Sequence, residues 1–485
     1  MEYQSTRNAG YRADSVGAVL EGIAPDGGLY IADPAEIPFD WQAALGCSAR
    51  EMSARILHAL LPDFPDMRGL VERAYEGKFE TEDLTPLVQV GDRYVLELFR
   101  GPTSAFKDVA LSVLPQLITA GRTLQGASED VVILTATSGD TGKAALEGFH
   151  DVPGTRIVVF YPYQGVSRVQ ELQMSTQKGS NVRVCAVRGN FDDAQTGVKN
   201  VFAACRERDL GGKTLSSANS INIGRLAPQV MYYFKAYADL LSMGRIRMGE
   251  KVCFVVPTGN FGDILAGSFA ARLGLPVGKL VCASNQNNVL TDFLRTGVYD
   301  KRREFYKTSS PSMDILVSSN LERLLYLLCR SGEQVAEYMR RLSADGVYTV
   351  DAELLGKLQE EFACGYCDDE ASLRTIGEVF RTYGYLMDPH TSVAWNVSEQ
   401  VREEVGGMPM VVLSTASPYK FPVACLKALG GTPDADEFAV MRQLREISGV
   451  PVPQNLAGLQ AAPVLHTDVI EKEEMLDYVL RYLAE

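Results

Sequence analysis

Short apolar runs alternate with helical segments along the central part of the chain. This alternation is typical of parallel sheets whose strands are joined by crossover helices, so it predicts an α/β fold. The predicted strands are Val131–Leu134, Arg156–Phe160, Val182–Val187, Val252–Val256 and Leu280–Ser284.

The strand–helix units divide into two predicted domains with two additions. Residues 129–224 carry their own units and are expected to form a smaller, mobile α/β domain. The large domain is expected to combine residues 96–128, 225–311 and 386–485. An N-terminal lobe (residues 1–95) and a charged, helix-rich insertion (residues 312–385) complete the chain. The predicted helices outside the two domains are Ala49–Leu61, Leu321–Cys329, Glu333–Leu342 and Ala352–Phe362, and an amphipathic helix is predicted over Glu471–Leu483.

A lysine lies between an aromatic ring and a carboxylate in the segment Gly101–Asp108. The apolar run Tyr94–Phe99 precedes it, so Lys107 is expected to end a strand at the floor of a cleft. Burial disfavours the ammonium form, and the neutral amine is the form that attacks a carbonyl to give a Schiff base. A lone lysine is more often a solvated surface charge. Lys107 is a catalytic candidate because the glycine-rich loops and polar segments downstream fit the same chemistry.

Two glycine-rich loops each follow a predicted strand and precede a predicted helix. They are Thr135–Ala145 and Pro257–Asp263. Backbone N–H groups at such a turn converge on one place and suit an anion, although an ordinary strand-to-helix turn gives the same pattern. Ala144 stands where a Walker A loop requires Ser or Thr, and neither loop carries the dinucleotide pattern GxGxxG. A phosphate-bearing aldehyde cofactor would use the lysine and the second loop together, which describes pyridoxal 5'-phosphate (PLP).

Two polar segments add further candidates. The segment Ser217–Leu226 contains several small polar side chains and Arg225. Either the polar side chains cap the helix that follows, or Arg225 binds a substrate phosphate. Ser414–Phe421 ends an apolar strand in hydroxyl groups, which can bond a cofactor ring nitrogen or simply form a turn.

Bulk properties exclude several classes of protein. A net charge of −14 argues against non-specific nucleic-acid binding, and no apolar run is long enough to cross a membrane. The first residues lack a signal-peptide pattern, so a cytoplasmic location is expected. The nine cysteines read as reduced, and the four histidines and the pair Cys364/Cys367 offer too few ligands for a metal. His390 is expected to have a structural role in a turn.

The motifs, taken together and in order, resemble the threonine synthase family. The resemblance covers nearly the whole chain and is to the longer bacterial and fungal branch, within the fold-type II PLP enzymes related to tryptophan synthase β. It implies two parallel-sheet α/β domains with an N-terminal lobe and a helical insertion. The segments that carry it are residues 3–8, 24–30, 101–108, 135–145, 217–226, 257–263, 388–391 and 414–421.

The resemblance assigns roles to particular residues. It implies that Lys107 is catalytic and holds PLP as a Schiff base, and that Thr415 lies against the pyridine nitrogen. Many relatives carry histidine where this chain has Ser417. The cofactor phosphate would bind Gly259, Asn260, Phe261, Gly262 and Asp263. The substrate α-carboxylate would bind Ser138, Gly139, Asp140, Thr141 and Gly142, and the substrate phosphate Asn219, Ser220, Asn222 and Arg225.

The implied reaction converts O-phospho-L-homoserine and water into L-threonine and phosphate, as a step of threonine biosynthesis. The expected partner is this small-molecule substrate, with no nucleic acid and no membrane, in a monomer or a homodimer. One alternative is a threonine synthase-like phospho-lyase. Another is an amino-acid dehydratase or β-synthase of the same fold, which would normally have Asn in place of Asp140. A non-enzymatic nucleotide-binding module is disfavoured because neither glycine loop carries a nucleotide-binding pattern.

Overall fold

Two sheets of mainly parallel strands lie at the centre of the molecule. The computed structural model describes residues 1–127, 130–137, 139–205 and 208–484. The first part of the chain forms a small antiparallel sheet, four helices and two strands of the larger sheet. Its elements are β1 Tyr3–Ser5, β2 Arg12–Ala13, α1 Ser15–Glu21, β3 Tyr30–Ile31, α2 Trp41–Leu45, α3 Ala49–Leu60, α4 Met67–Tyr75, β4 Leu87–Val90 and β5 Arg93–Glu97.

The middle of the chain alternates strands and helices, as its sequence predicts. Its elements are α5 Lys107–Leu124, β6 Val131–Ala136, α6 Asp140–Phe149, β7 Thr155–Pro162, α7 Arg168–Ser175, β8 Val182–Arg188, α8 Phe191–Cys205, β9 Thr214–Ser216, α9 Ile223–Leu226, α10 Val230–Ser242, β10 Val252–Pro257, α11 Gly262–Arg272, β11 Val277–Ser284, α12 Val289–Thr296 and β12 Val298–Asp300.

The last part is mostly helical and returns to both sheets. Its elements are α13 Leu321–Cys329, α14 Gly332–Ala344, β13 Val347–Thr349, α15 Ala352–Glu361, β14 Phe362–Tyr366, α16 Asp369–Tyr383, α17 Pro389–Gln400, α18 Arg402–Val405, β15 Met410–Ser414, α19 Pro422–Ala428, α20 Glu437–Ser448, α21 Gln454–Ala457, β16 Asp468–Glu471 and α22 Met475–Ala484. Short 3-10 turns lie at Pro34–Glu36, Ala227–Gln229, Pro311–Met313, Pro418–Lys420, Leu459–Ala461 and Lys472–Glu474.

The large sheet has the strand order β14-β11-β10-β15-β5-β4, and only the edge strand β4 is antiparallel to its neighbour. Side chains alternate between its faces: on β10, Phe254 packs into one apolar core, and Cys253 and Val255 pack into the other. Both faces are covered, as expected for a parallel sheet in an α/β protein. The fold-type II architecture is confirmed.

The small sheet has the order β16-β8-β7-β6-β9, and all its strands are parallel. Its edge strand β16 comes from the end of the chain, and α22 then packs against α8. Residues 386–485 are therefore shared between the two sheets. The predicted insertion likewise adds β14 to the large sheet, because its short apolar run Phe362–Tyr366 pairs in register with β11. The domain boundaries themselves stay predictions.

Helices α5 and α6 pack closely against each other. A Cβ built at Gly148 of α6 would lie 2.0 Å from the carbonyl oxygen of Leu111 in α5. Only glycine allows this approach, which packs the C-terminal end of α6 against the N-terminal half of α5.

We expect Gly148→Ala to lower the free energy of unfolding by about 1–3 kcal/mol, because the added methyl overpacks a backbone contact. The matched control is Gly356→Ala in α15, where a Cβ would meet no atom within 4 Å. That variant should gain up to about 1 kcal/mol from helix propensity. Urea denaturation measures both, and equal stability of the two variants would contradict the packing argument.

Candidate active site

Lys107 is the first residue of α5, and the parallel pair β5 and β15 brings Thr415 beside it. The Leu98 N–H donates to the Ser414 carbonyl at 2.9 Å, and the Phe106 N–H donates to the Thr415 carbonyl at 2.9 Å. The expectation that Lys107 ends a strand is wrong. The strand β5 stops at Glu97, and a turn intervenes before the lysine.

The Lys107 amine is desolvated, with Nζ 4.6 Å from the centroid of the Phe106 ring. Burial lowers its pKa from 10.5 to about 8; Asp140 opposes this shift, whereas the cations of Lys420 and Arg225 add to it. The side chain nevertheless keeps some accessible surface. A reachable lysine that is partly neutral near physiological pH is suited to attack an aldehyde.

Asp108 fixes the turn that presents the lysine. Its carboxylate accepts hydrogen bonds from the Thr103 N–H at 2.8 Å and the Thr103 hydroxyl at 2.5 Å. Burial raises the pKa of Asp108 to about 6. Gly101 is required here, because a Cβ at that position would lie 2.6 Å from Asp108 Cβ. The hydrogen bonds of Asp108 thus fix the conformation of the turn that precedes Lys107.

The second glycine loop, residues 259–263, runs from β10 into α11. Phe261 has a φ of 64°, and a Cβ at Gly259 would lie 2.9 Å from the Ser312 carbonyl oxygen. The loop is held from behind, since the Asn320 side chain donates to the Asn260 carbonyl at 3.1 Å. The backbone at the start of α11 is therefore fixed in place, as an anion site requires.

Asp263 in this loop is buried between two tyrosines. The Tyr232 and Tyr233 hydroxyls donate to its Oδ1 at 2.5 and 3.1 Å. Burial raises the pKa of Asp263 to about 6, while the two hydrogen bonds and the charge of Lys107 oppose the rise. Its Oδ2 has no hydrogen-bond partner among the described residues.

The first glycine loop connects β6 to α6. Ser138 lies outside the described residues. The Thr137 hydroxyl oxygen accepts hydrogen bonds from the Gly139 N–H at 3.0 Å and the Gly142 N–H at 2.9 Å. Two of the predicted ligand amides are thus used to shape the loop. Thr141 and Asp140 occupy the first turn of α6.

Asp140 is paired with a lysine that the sequence analysis did not single out. Lys420 Nζ lies 2.9 Å from Asp140 Oδ1, and both side chains are buried. Burial alone would raise the pKa of Asp140, yet Lys420 and Lys107 hold it well below its usual value. Lys420 stands in the predicted segment Ser414–Phe421, so its place in a motif was the available signal.

Arg225 is buried at α9, and its guanidinium donates to the Ala218 carbonyl. Desolvation lowers its pKa to about 10. Its Nε has no partner among the described residues, and no carboxylate pairs with it there. Such a cation favours an anionic ligand.

The other predicted phosphate ligands around Arg225 differ from one another. Asn222 caps α9: its side chain accepts from the Gly224 N–H at 2.8 Å and donates to the Val19 carbonyl at 2.9 Å. Asn219 and Ser220 are half-buried, and Asn219 accepts the Asn222 N–H through its carbonyl. The capping interpretation therefore fits Asn222, while all four substrate roles stay predictions.

Hydrogen bonds around His390 support the second glycine loop from behind. Asp388 caps α17 and bonds His390 Nδ1 at 2.5 Å, and His390 Nε2 accepts the Ser312 N–H at 3.2 Å. His390 thereby supports the 3-10 turn Pro311–Met313, which lies against Gly259, in keeping with a structural role. Ser417 caps the turn Pro418–Lys420.

Arg323 was also missed, since nothing distinguishes it within the amphipathic pattern of α13. It is fully buried and donates to the Tyr30 carbonyl at 3.0 Å, to Asn320 Oδ1 at 2.5 Å and to the Ile221 carbonyl at 2.5 Å. The helical insertion therefore connects the N-terminal lobe to both predicted phosphate-binding segments.

Across the described residues, no group of three or more His, Cys, Asp or Glu side chains is placed to hold a metal ion. None of the helices in the described ranges is long and apolar enough to cross a membrane. The nine cysteines are all free thiols.

The chain is similar to known proteins over most of its length. Family models described as "Threonine synthase N terminus" and "Threonine synthase, C-terminal" match residues 2–75 and 391–476. Threonine synthase from Pseudomonas aeruginosa is 39% identical, over 95% of this chain and 97% of that protein. "Threonine synthase-like 1" from Pongo abelii is 38% identical over 95% of this chain, which spans only 63% of that longer relative. The PLP-bound threonine synthase structure from Brucella melitensis has a TM-score of 0.87 and 37% identity, covering both chains fully.

Fold and site together define a PLP-dependent lyase. The residues present fit the cofactor, because a reachable, partly neutral lysine lies near a glycine loop whose backbone is fixed at the N-terminus of α11. The chain belongs to the threonine synthase family.

The rate at which apoprotein combines with PLP is expected to rise with pH up to about 8 and then level off, because only the neutral Lys107 amine attacks the aldehyde. At pH 7.5 about a quarter of the amine is neutral, against about a thousandth for an ordinary lysine. Stopped-flow absorbance between pH 6.5 and 10 measures the rate, with Lys107→Ala as the blank. A rate that climbs tenfold per pH unit above 9 would refute the lowered pKa.

Proposed function

We propose that this enzyme converts O-phospho-L-homoserine and water into L-threonine and inorganic phosphate. The observation that carries the proposal is Arg225, a buried guanidinium with no acidic partner among the described residues. A substrate phosphate would supply the missing charge with bidentate hydrogen bonds.

The proposed cofactor-binding residues are Lys107 with loop 259–263 for the phosphate, and Thr415 for the ring nitrogen. When bound, PLP supplies an aldehyde that captures an amino group and a ring that withdraws electrons from the substrate. Asp263 and the N-terminus of α11 fix the loop backbone at which the phosphate would bind.

Lys107 is proposed to move the protons. Its amine, with a pKa of about 8, is close enough to neutral pH to take a proton from the substrate Cα, then one from Cβ as phosphate leaves Cγ, and to return protons at Cγ and finally at Cα. Loss of phosphate from Cγ and addition of water at Cβ complete the conversion. Burial around the lysine limits the access of bulk water to these steps.

The substrate would be held at both ends. Loop 138–142 is proposed to bind the α-carboxylate with the N-terminus of α6, where the helix dipole favours a negative charge. Arg225, with Asn219 and Ser220 nearby and Asn222 shaping the segment, is proposed to bind the phosphate.

The alternative is a phospho-lyase that eliminates phosphate without making threonine. The observation behind it is the similarity to threonine synthase-like 1, at 38% identity almost equal to the 39% of the bacterial enzyme. A cytoplasmic monomer or homodimer stays a prediction in either case.

Purified enzyme supplied with O-phospho-L-homoserine is expected to release phosphate and L-threonine in equal amounts. Phosphate is measured by colorimetry and the amino acid by chromatography, with Lys107→Ala as the inactive control. A keto acid in place of threonine would replace the proposal with the phospho-lyase. Serine deamination without phosphate release would indicate a dehydratase.

Arg225→Met is expected to lower kcat/KM for O-phospho-L-homoserine about 10- to 100-fold, because the phosphate loses its charge-assisted hydrogen bonds. Binding of unphosphorylated L-threonine, followed by its absorbance change, should weaken far less. Arg402→Met, at an ion pair that is half exposed, is the matched control. Equal losses for both ligands would argue against a phosphate role.

A further inference from the structure

We propose that Lys420 is a positioning residue that neutralises Asp140, so that loop 138–142 can accept an anionic carboxylate. The inference rests on the proposed role of this loop and deepens it. The sequence of the loop does not indicate which group offsets the charge of Asp140.

The contacts of Lys420 are those of a built counter-ion. Its Nζ lies 2.9 Å from Asp140 Oδ1 and donates to the Thr103 carbonyl at 3.0 Å, and its side chain has no exposed surface. Thr103 also holds Asp108, next to the catalytic lysine. Lys420 therefore stands between the turn of Lys107 and the first turn of α6.

Asp140 has a second partner on the small domain. Gln170 Nε2 in α7 donates to the same Oδ1 atom at 3.1 Å. The position of Gln170 also requires Gly139, since a Cβ there would lie 2.3 Å from Gln170 Nε2. The carboxylate is thus fixed by one neutral and one charged donor.

The charge of the pair decides whether the loop can work. An isolated buried carboxylate at the first turn of α6 would cancel the attraction of the helix N-terminus and repel a second carboxylate nearby. Paired with Lys420, Asp140 is neutralised, and the charge of the loop no longer opposes the substrate. This makes carboxylate binding depend on a residue that need not contact the substrate.

The test compares Lys420→Met with the double variant Asp140→Asn/Lys420→Met. Dissociation constants for L-threonine and L-threoninamide are measured on holoenzyme from the absorbance change of the cofactor. Lys420→Met should weaken threonine about tenfold or more, and threoninamide, which lacks the carboxylate, much less. The double variant should recover most of the affinity, because the repelling charge is gone. Lys357→Met, in an exposed ion pair, is the matched control.

Thermal unfolding of the apoproteins provides a readout without cofactor. Lys420→Met should lower the midpoint, and the added Asp140→Asn should restore part of it. The proposal is overturned if Lys420→Met binds threonine as the wild type does, or if both variants lose threonine and threoninamide equally. Should Lys420→Met fail to fold, an equal loss of both ligands in the double variant is the overturning result.

The proposed function fails independently of this inference. If the wild-type enzyme makes no threonine, the same comparison is run with L-serine and L-serinamide, which tests the carboxylate loop without assuming the reaction.

Discussion

The active site contains buried positive charge, although the molecule as a whole is acidic. Lys107, Lys420 and Arg225 share one buried region, and Asp140 is the strongly ionised carboxylate among them. The chain as a whole carries −14. Burying unmatched cations is costly, so the phosphates of PLP and of the proposed substrate would stabilise the arrangement.

The N-terminal lobe serves this arrangement from a distance. Arg7 forms two hydrogen bonds of 2.8 Å with Glu322, and the Thr6 hydroxyl donates to the same carboxylate. Glu322 precedes Arg323, which reaches the Ile221 carbonyl. The opening residues of the chain thus brace the insertion helix, and that helix braces the segment that carries Arg225. These contacts explain why the motif at residues 3–8 accompanies the motifs around Lys107, although it lies far from that lysine in the sequence.

Sequence reasoning found the elements with local signals. Alternating apolar runs located the strands, and glycine after a strand located the loops that the structure places near Lys107. It did not find Lys420 or Arg323, because neither a buried ion pair nor a buried arginine that bonds carbonyls of distant segments leaves a periodic pattern. The strand β14 has no local signal for a related reason: only Phe362 falls within a predicted element, the helix Ala352–Phe362, and the five residues of β14 become a strand only by pairing with β11. Tertiary contacts decide such cases.

The two proposed anion sites lie on different parts of the fold, and this separation bears on selectivity. Arg225 follows the small domain and packs with α5 through α9, whereas loop 138–142 starts α6. An amino acid without a phosphate would fill the carboxylate loop but leave the Arg225 guanidinium buried and unpaired. The free enzyme and its complex with such an amino acid both carry this cost, and only a phosphorylated substrate would remove it and so bind more tightly. In its proposed role, Arg225 would therefore select for a phosphorylated amino acid without contacting the carbon atoms that react.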